Sequence, residues 1–294
     1  MQSKTRVCVT IFVAALTALW PWTATGQEGR QKKVFMITDM EGVDGIFDSE
    51  LQCVPYKSPR YAESQKLLTD EVNAAVEGLL AGGATDVVVW DGHDSSRNLS
   101  VLDIHPKALL LVGEPVSPTL ELDRSYSAVI FVGQHAMAGA DKAILSHSYS
   151  SEGIQNIWVN SKPVGEIGGR VMLAGAFGVP VIMLSGDTAA CKELHDLVPE
   201  AECAEVKTGV SRTAGFTLAH PAACQLIREK AYRAVERLRE FKPYRMAGPV
   251  EVKVEFTPRG ATFLPREGVE RLNDRTWVFR GKDILDAWLK YSSF

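Results

Sequence analysis

Short apolar segments alternate with amphipathic segments along most of the chain. Between the first two apolar segments, Leu68, Val72, Val76 and Leu79 recur at helical spacing before Gly82. Apolar strands of this kind are usually buried on both faces, as happens in a parallel sheet covered by helices. The alternation therefore predicts an α/β fold with a largely parallel sheet and helices on both faces. The segments that we expect to form strands of this sheet are KVFMI, DVVVW, KALLLVG, SAVIFVG and PVIMLSGD.

The alternation predicts one α/β domain over residues 33–240. A long helix that starts at Pro221 and runs to about Arg239 comes at its end. Residues 241–294 contain two strand-like segments, PVEVKVEF and TWVFRG, and a short helix, which predicts a small α+β part. This part is either a C-terminal extension or the closing part of the same domain.

The first 26 residues have the pattern of a secretory signal peptide. Lys4 and Arg6 form a basic start, residues 7–20 are nearly all apolar, and the small residues TATG follow. A retained membrane anchor is the alternative, but the apolar run is shorter than the roughly 20 residues that a membrane span needs. We therefore expect a periplasmic or secreted protein with no stable membrane span after signal cleavage.

Charge and cysteine content exclude several classes of protein. The formal net charge is −4, and the sequence has no basic stripe, so we expect no nucleic-acid partner. The cysteines after the leader have no CxxC pair and no regular spacing, which argues against a zinc knuckle or a disulfide scaffold. Buried free thiols are the expectation, and a bridge between Cys191 and Cys203 is the alternative.

Polar residues follow the predicted strands where each strand ends. Asp39 and Glu41, in TDMEG, come after the first strand and lie one residue apart. Because side chains alternate along a strand, the two carboxylates should point to the same side and repel each other unless a cation lies between them. His93, His135 and Asp187 follow three other strands. Ligands of open α/β sheets bind beyond the carboxyl ends of the strands, so a metal site is predicted at this edge.

Two further residues complete the candidate site. His147 lies twelve residues after His135, and Glu166 opens a predicted helix. Mixed carboxylate and imidazole ligands suit zinc or a similar divalent ion. The set exceeds what one tetrahedral zinc needs and suits two metals that share a bridging carboxylate, for which Asp39 is the candidate. The predicted metal ligands are Asp39, Glu41, His93, His135 and Glu166.

Each of these residues also has a plainer interpretation. Asp39 and Glu41 could form a turn with a helix cap, and His93 could belong to a solvated loop. His135 could be a core histidine, and Glu166 could cap a helix N-terminus, where a carboxylate is favoured. Taken together at the strand ends, these interpretations are a poorer account than a metal site.

Other polar residues are secondary candidates. Asn160 and Asp187 could contact substrate or support the ligands. Lys207 and Arg212 could meet a peptide carboxylate, although ordinary surface charge is the expectation for both. The histidines expected at the surface are His105, His195 and His220.

The chain resembles the zinc-dependent D-aminopeptidases of the dipeptide-transport operon type. The similarity runs from about residue 33 to about residue 288, and the matching segments, in the family's order, are DMEGVDGI, DGHDSSRN, FVGQHAMAG, LSHSYS, PVGEIG and SGDTAACKE. The resemblance implies the same five metal ligands as above, two zinc ions per subunit and His147 as the catalytic histidine. It also implies removal of N-terminal D-residues, chiefly D-alanine, from short peptides or amides, by a homodecamer whose active sites face an interior chamber.

Two other functions remain open from the residues. A two-metal phosphoesterase would use similar ligands, but it should also carry a glycine-rich phosphate loop or an arginine pair. The only glycine-rich stretch, GEIGGR, has a glutamate unsuited to phosphate. A non-catalytic exported protein that binds metal or peptide would need the ligands but not His147.

Overall fold

The computed structural model describes residues 31–114 and 116–292, and the predicted signal peptide lies outside them. The helices are α1 (Ser49–Gln52), α2 (Tyr61–Ala81), α3 (Glu166–Ala176), α4 (Thr188–His195), α5 (His220–Glu236) and α6 (Ile284–Ser292), with a short 3₁₀ helix at Leu238–Glu240. The strands are β1 (Lys33–Thr38), β2 (Asp86–Trp90), β3 (Ala108–Leu111), β4 (Ala128–Gln134), β5 (Ile154–Val159), β6 (Lys162–Pro163), β7 (Val181–Asp187), β8 (Glu202–Ser211), β9 (Ala214–Thr217), β10 (Val250–Phe256), β11 (Val269–Arg271) and β12 (Thr276–Gly281).

The larger sheet has the strand order β3-β2-β1-β4-β7-β8-β9. All neighbours from β3 to β8 are parallel, and only β9 pairs antiparallel, with β8. This is the predicted α/β fold with a largely parallel sheet. The strands foreseen for this sheet are β1, β2, β3, β4 and β7. β4 and β7 are buried at every position, whereas β3 lies at the edge and is only partly buried.

Helices cover both faces of this sheet because alternate residues of each strand enter different cores. Val34 and Met36 of β1 pack into the core that contains α2 and α5. Phe35 and Ile37 pack into the opposite core with α3 and α4. The near-continuous apolar runs of the sequence are thus explained by burial on both sides.

The smaller sheet is antiparallel and has the order β11-β12-β10-β5-β6. It packs with α6 around an aromatic core that includes Trp277, Phe279 and Trp288. β10 of the tail pairs with β5, which lies between His147 and Glu166 in the sequence. The tail therefore shares a sheet with the middle of the chain, and the division at residue 240 stays a prediction.

Two further features concern predictions made above. Cys53, Cys191, Cys203 and Cys224 are free, as expected, and no bridge joins Cys191 to Cys203. Within the described ranges, none of the helices combines the length and the apolar character that crossing a membrane requires.

Candidate metal centre

The sheet order brings the predicted ligands together. β2, β1 and β4 are adjacent and parallel, so the residues that follow them meet at one edge. Asp39 follows β1, His93 follows β2, and His135 follows β4. Glu166 joins them as the first residue of α3.

Asp39 lies between two histidines. Its Oδ1 is 3.0 Å from His93 Nδ1, and its Oδ2 is 3.3 Å from His135 Nε2. The amide of Met40 and the side chain of Gln134 donate further hydrogen bonds to it. Burial alone would raise the pKa of Asp39, but the hydrogen bonds with His135 and His93 hold that pKa well below its usual range. A carboxylate shared in this way suits the bridging position proposed for it.

The backbone beside Asp39 needs a glycine at one position. Gly133 of β4 has φ +72°, a conformation that favours glycine, and a Cβ there would lie 2.2 Å from the carbonyl oxygen of Asp39. The close approach lets His135 reach Asp39.

Glu166 is the second charged centre of the site. Its Oε1 lies 3.3 Å from His135 Nε2 and 3.8 Å from His147 Nε2, and its Oε2 accepts a hydrogen bond from Arg170 at 3.0 Å. Burial raises the pKa of this carboxyl, but the hydrogen bond and charge of His135 outweigh burial and lower the pKa to about 2. Glu166 is therefore an anion at neutral pH.

Three histidines of the site each use one ring nitrogen on a backbone carbonyl. His93 Nε2 is 2.8 Å from Cys53 O, His135 Nδ1 is 2.9 Å from Ala136 O, and His147 Nδ1 is 3.0 Å from Leu145 O. Since a carbonyl only accepts, each of these nitrogens carries the proton. The other nitrogen of each ring then faces the carboxylates.

This arrangement fits a metal. A lone pair of neutral imidazole that faces a carboxylate is unfavourable unless a proton or a cation lies between them. Glu41 Oε2 and His135 Nε2 are also buried, and among the described residues their closest polar contacts are the imidazole–carboxylate contacts given above, none of which has regular hydrogen-bond geometry. Burial tends to lower the pKa of His93 and of His135, but the nearby carboxylates raise both pKa values well above the usual value. The same carboxylates that favour a proton on these rings would favour a metal cation beside them.

The candidate ligand atoms form two neighbouring groups, each of which could bind a metal ion. Asp39, Glu41 and His135 place ligand atoms within 4.8 Å of one another, and so do His135, His147 and Glu166. His93 adjoins the first group, 3.1 Å from Glu41. His147 is stacked on His135 with ring centroids 3.9 Å apart and is more exposed than His93 and His135.

Lys207 is a supporting residue that sequence reasoning missed. We expected it at the surface, but it is 2% exposed, because it lies on β8 beneath the loop that carries Glu41. Its Nζ donates to the carbonyl oxygens of Glu41 and Ile46, both at 2.6 Å. Burial lowers the pKa of Lys207 to about 8. Glu193, also missed, accepts a hydrogen bond from the amide of Met137, two residues beyond His135.

The secondary candidates have other positions. Asp187 caps α4 through the amide of Ala190 and also accepts from the amide of Ile144. Asn160 lies in the turn after β5 and accepts from the amide of Glu251. Both side chains thus accept hydrogen bonds from backbone amides, and a contact with substrate stays a prediction. Arg212 is exposed, as expected.

His220 differs from the expected surface histidine. It lies between two carboxylates, with Nδ1 2.8 Å from Asp44 and Nε2 3.2 Å from Asp70. These contacts join the start of α5 to the loop after β1 and to α2, so its role is in packing rather than at the metal centre.

The metal centre opens into a cavity of about 580 Å³. Carboxylates line it at Asp39, Glu41, Asp94, Glu114, Glu152 and Glu166, with His93 and His147 among them. Lys57 and Arg170 also line it, so the six carboxylates leave the wall acidic on balance. Such a cavity attracts a cationic group of a ligand, in addition to the metals.

Comparison with known proteins agrees with this geometry. The model of a peptidase family described as D-aminopeptidase matches residues 32–291. A D-aminopeptidase of Bacillus subtilis (strain 168) is 33% identical over 263 residues, covering 87% of this chain and 94% of the relative. The solved structure of a Zn-dependent D-aminopeptidase, DppA, from Bacillus subtilis, described as a self-compartmentalizing protease, superposes with a TM-score of 0.78 at 30% identity, covering 88% of this chain and 95% of that one.

Proposed function

The chain belongs to the D-aminopeptidase family, a family of zinc-dependent peptidases, and from that premise we propose an exported enzyme that removes N-terminal D-amino acids, D-alanine above all, from short peptides or amides. Family membership favours this reaction over a phosphoesterase and over a binding protein without catalysis. The matching structure is a zinc-dependent enzyme, which supports zinc as the metal of this chain.

The observation that carries the proposal is the set of buried imidazole nitrogens that face carboxylates, an arrangement that requires a proton or a metal cation between them. In our proposal Asp39, Glu41, His93, His135 and Glu166 hold two zinc ions. The two neighbouring groups of ligand atoms, with Asp39 between His93 and His135, support a count of two. Zinc in such a site lowers the pKa of a bound water to about 7 and polarises the scissile carbonyl.

His147 is the proposed acid–base group. Its proton on Nδ1 is held by Leu145 O, so Nε2 is free to accept a proton from water and to pass it to the leaving amine. Its greater exposure, 17% of the side chain against 1% for His135, supports a position on the substrate side of the cluster. The acidic wall of the cavity would hold the free ammonium group of the substrate, which is the group that defines an aminopeptidase substrate.

Export and assembly are also part of the proposal. The basic, apolar and small-residue pattern of residues 1–26 supports export to the periplasm or the medium. The self-compartmentalizing description of the matching structure supports a homo-oligomer, and we propose a decamer. Light scattering of the mature protein after size-exclusion chromatography measures the mass; a monomer or dimer as the active species would exclude a closed compartment.

The decisive experiment measures alanine released from D-Ala-D-Ala and from L-Ala-L-Ala, with zinc and with a chelator. We expect release from the D-peptide that the chelator abolishes and added zinc restores. Loss of this activity in His135→Ala, but not in His105→Ala, would tie it to the site. Equal release from the L-peptide would exclude the D-preference, and no release with zinc bound would exclude the peptidase.

A further inference from the structure

A second cavity adjoins the metal centre. Its volume is about 300 Å³, at the lower end of the range for ligand pockets, and its walls are mainly apolar and aromatic. Trp288 of α6 and Leu173 of α3 form part of its lining. We call this cavity the aromatic chamber. Trp90, Tyr149 and Arg170 line both the aromatic chamber and the acidic cavity, so the two spaces share a boundary.

Arg170 is held firmly at this boundary. Its guanidinium carbon lies 4.6 Å from the ring centroid of Trp90 and 5.5 Å from that of Tyr149. One of its nitrogens donates to Glu166 at 3.0 Å. A cation fixed by two aromatic faces and a carboxylate is a rigid feature, and it separates an acidic space from an apolar one.

The boundary also carries polar atoms without partners. Trp90 Nε1 and Arg170 Nε are buried and have no hydrogen-bond acceptor among the residues that the structure describes. The two residues are only 6% and 8% exposed. Unpaired buried donors are rare in proteins, so a small side-chain movement that presents them to an acceptor in one of the two cavities would be favourable. A peptide carbonyl or carboxylate is such an acceptor.

Charge gives the direction in which a peptide would lie. Its ammonium end belongs among the carboxylates of the acidic cavity, close to the metal ligands. Arg170 and Trp90 lie at the boundary between this cavity and the aromatic chamber. A peptide that extends from the metals in this direction brings the residue after the scissile bond to Arg170 and its side chain to the chamber.

We propose that the aromatic chamber is a substrate subsite that receives a large apolar side chain on the leaving-group side of the scissile bond. The preferred substrates are then short peptides or amides in which a D-residue is followed by a bulky apolar group. This inference rests on the proposed D-aminopeptidase function and adds a substrate class to it.

The test compares two amides whose leaving amines have similar basicity, D-alanine ethylamide and D-alanine 2-phenylethylamide. With the zinc-loaded enzyme, kcat/KM should be at least about tenfold higher for the phenylethyl amide, because a filled apolar pocket discriminates by that factor per group or more. Equal values for the two amides would overturn the subsite while leaving the peptidase intact. Failure to hydrolyse either amide or D-Ala-D-Ala would instead count against the proposed function.

A substitution in the lining of the aromatic chamber tests whether the chamber causes the preference for the phenylethyl amide. Val116 lines the chamber from a loop, and Val116→Phe should fill part of it and lower the ratio of the two kcat/KM values by about tenfold or more. Val101→Phe is the matched control, since Val101 is 73% exposed and lines neither cavity. Unchanged ratios in Val116→Phe, or an equal fall in Val101→Phe, would contradict the proposal. The comparison of amides in the unaltered enzyme stands even if Val116→Phe does not fold.

Discussion

At the scale of single residues, the tautomer of each histidine decides what its ring can do. His93, His135 and His147 each place one N–H on a carbonyl, but His147 differs in exposure and lies farther from its carboxylate, 3.8 Å from Glu166. A ring that is close to the ligands yet more open to solvent is suited to proton transfer rather than to structural support.

His147→Gln should therefore separate chemistry from metal binding. We expect kcat for D-Ala-D-Ala to fall by about 100- to 10,000-fold, the usual contribution of a general acid–base group. Zinc content, measured by elemental analysis, should stay at the level of the unaltered protein. A parallel loss of zinc would instead show that His147 is a ligand, and near-normal kcat would exclude any chemical role.

Replacement of Lys207 should weaken zinc binding and stability rather than the chemical step. Its Nζ connects two carbonyls of the loop that carries Glu41, and it is buried. Lys207→Met keeps the length and apolar stem but leaves both carbonyls without their donor, which costs about 1–3 kcal/mol for each buried group left unpaired. We expect lower zinc affinity in a competition titration and a lower melting temperature. Lys192→Met, at an exposed position, is the control, and equal zinc affinity in the two variants would exclude a role for Lys207 in holding the loop.

At the scale of elements, the sequence predicted strands that have an apolar run or a regular alternation of apolar residues, and it missed β8, which has neither. β4 and β7 are buried at every position, so an apolar run identifies them. β8 alternates buried with exposed positions and contains Glu202, Glu205 and Lys207, so its sequence has no clear apolar run. The burial of Lys207 depends on a loop 161 residues away in the sequence, which no local pattern can reveal.

β8 is also held to α5 by an ion cluster around Glu202. Its carboxylate lies 3.0 Å from Lys230 and 3.6 Å from Arg233, and Arg237 donates a hydrogen bond to it. Burial raises the pKa of Glu202, but these cations outweigh it and lower the pKa below its usual value. Its contribution to stability is therefore present above the unfolded-state pKa of about 4.3 and is lost as pH falls through the lower folded-state pKa.

Glu202→Gln should be less stable than the unaltered protein at pH 7 by about 1 kcal/mol, a modest value because the partner cations are partly exposed. Urea denaturation at a series of pH values measures this difference, which should shrink below about pH 4. Glu229→Gln, at an exposed position of α5, should show no such pH dependence. If the free energies of unfolding of Glu202→Gln and the unaltered protein differed by the same amount at all pH values, the charge of Glu202 would not contribute to stability.

At the scale of the whole molecule, the proximity of the proposed ligands was predictable and the residues that support them were not. Each proposed ligand follows a strand or opens a helix, and the rule that ligands bind beyond the carboxyl ends of parallel strands is enough to group them. Lys207 comes from a strand remote in sequence from the loop that it supports, and the pairing of β5 with β10 likewise depends on strands far apart in the chain. Such long-range contacts are set by packing rather than by local pattern.

The same long-range assembly predicts how the molecule responds to loss of metal. The proposed ligands follow β1, β2 and β4 and open α3, so a bound metal connects the sheet to the helix that covers it. Zinc that binds only the folded chain at 100 times its Kd adds about 2.7 kcal/mol of stability. For a domain of this size that corresponds to a shift in melting temperature of about 5–10 °C.

Chelation should therefore lower the apparent melting temperature of the zinc-loaded protein by about that amount, measured by scanning fluorimetry at two protein concentrations to separate any change in assembly. Added zinc should restore it. His135→Ala removes the residue common to both ligand groups, so its melting temperature should already be low and should respond little to the chelator. A chelator shift of the same size in His135→Ala as in the unaltered protein would mean that the metal responsible binds somewhere else. No shift in the unaltered protein, with zinc removal shown by elemental analysis, would mean that the buried carboxylates and histidines hold the sheet edge together without metal.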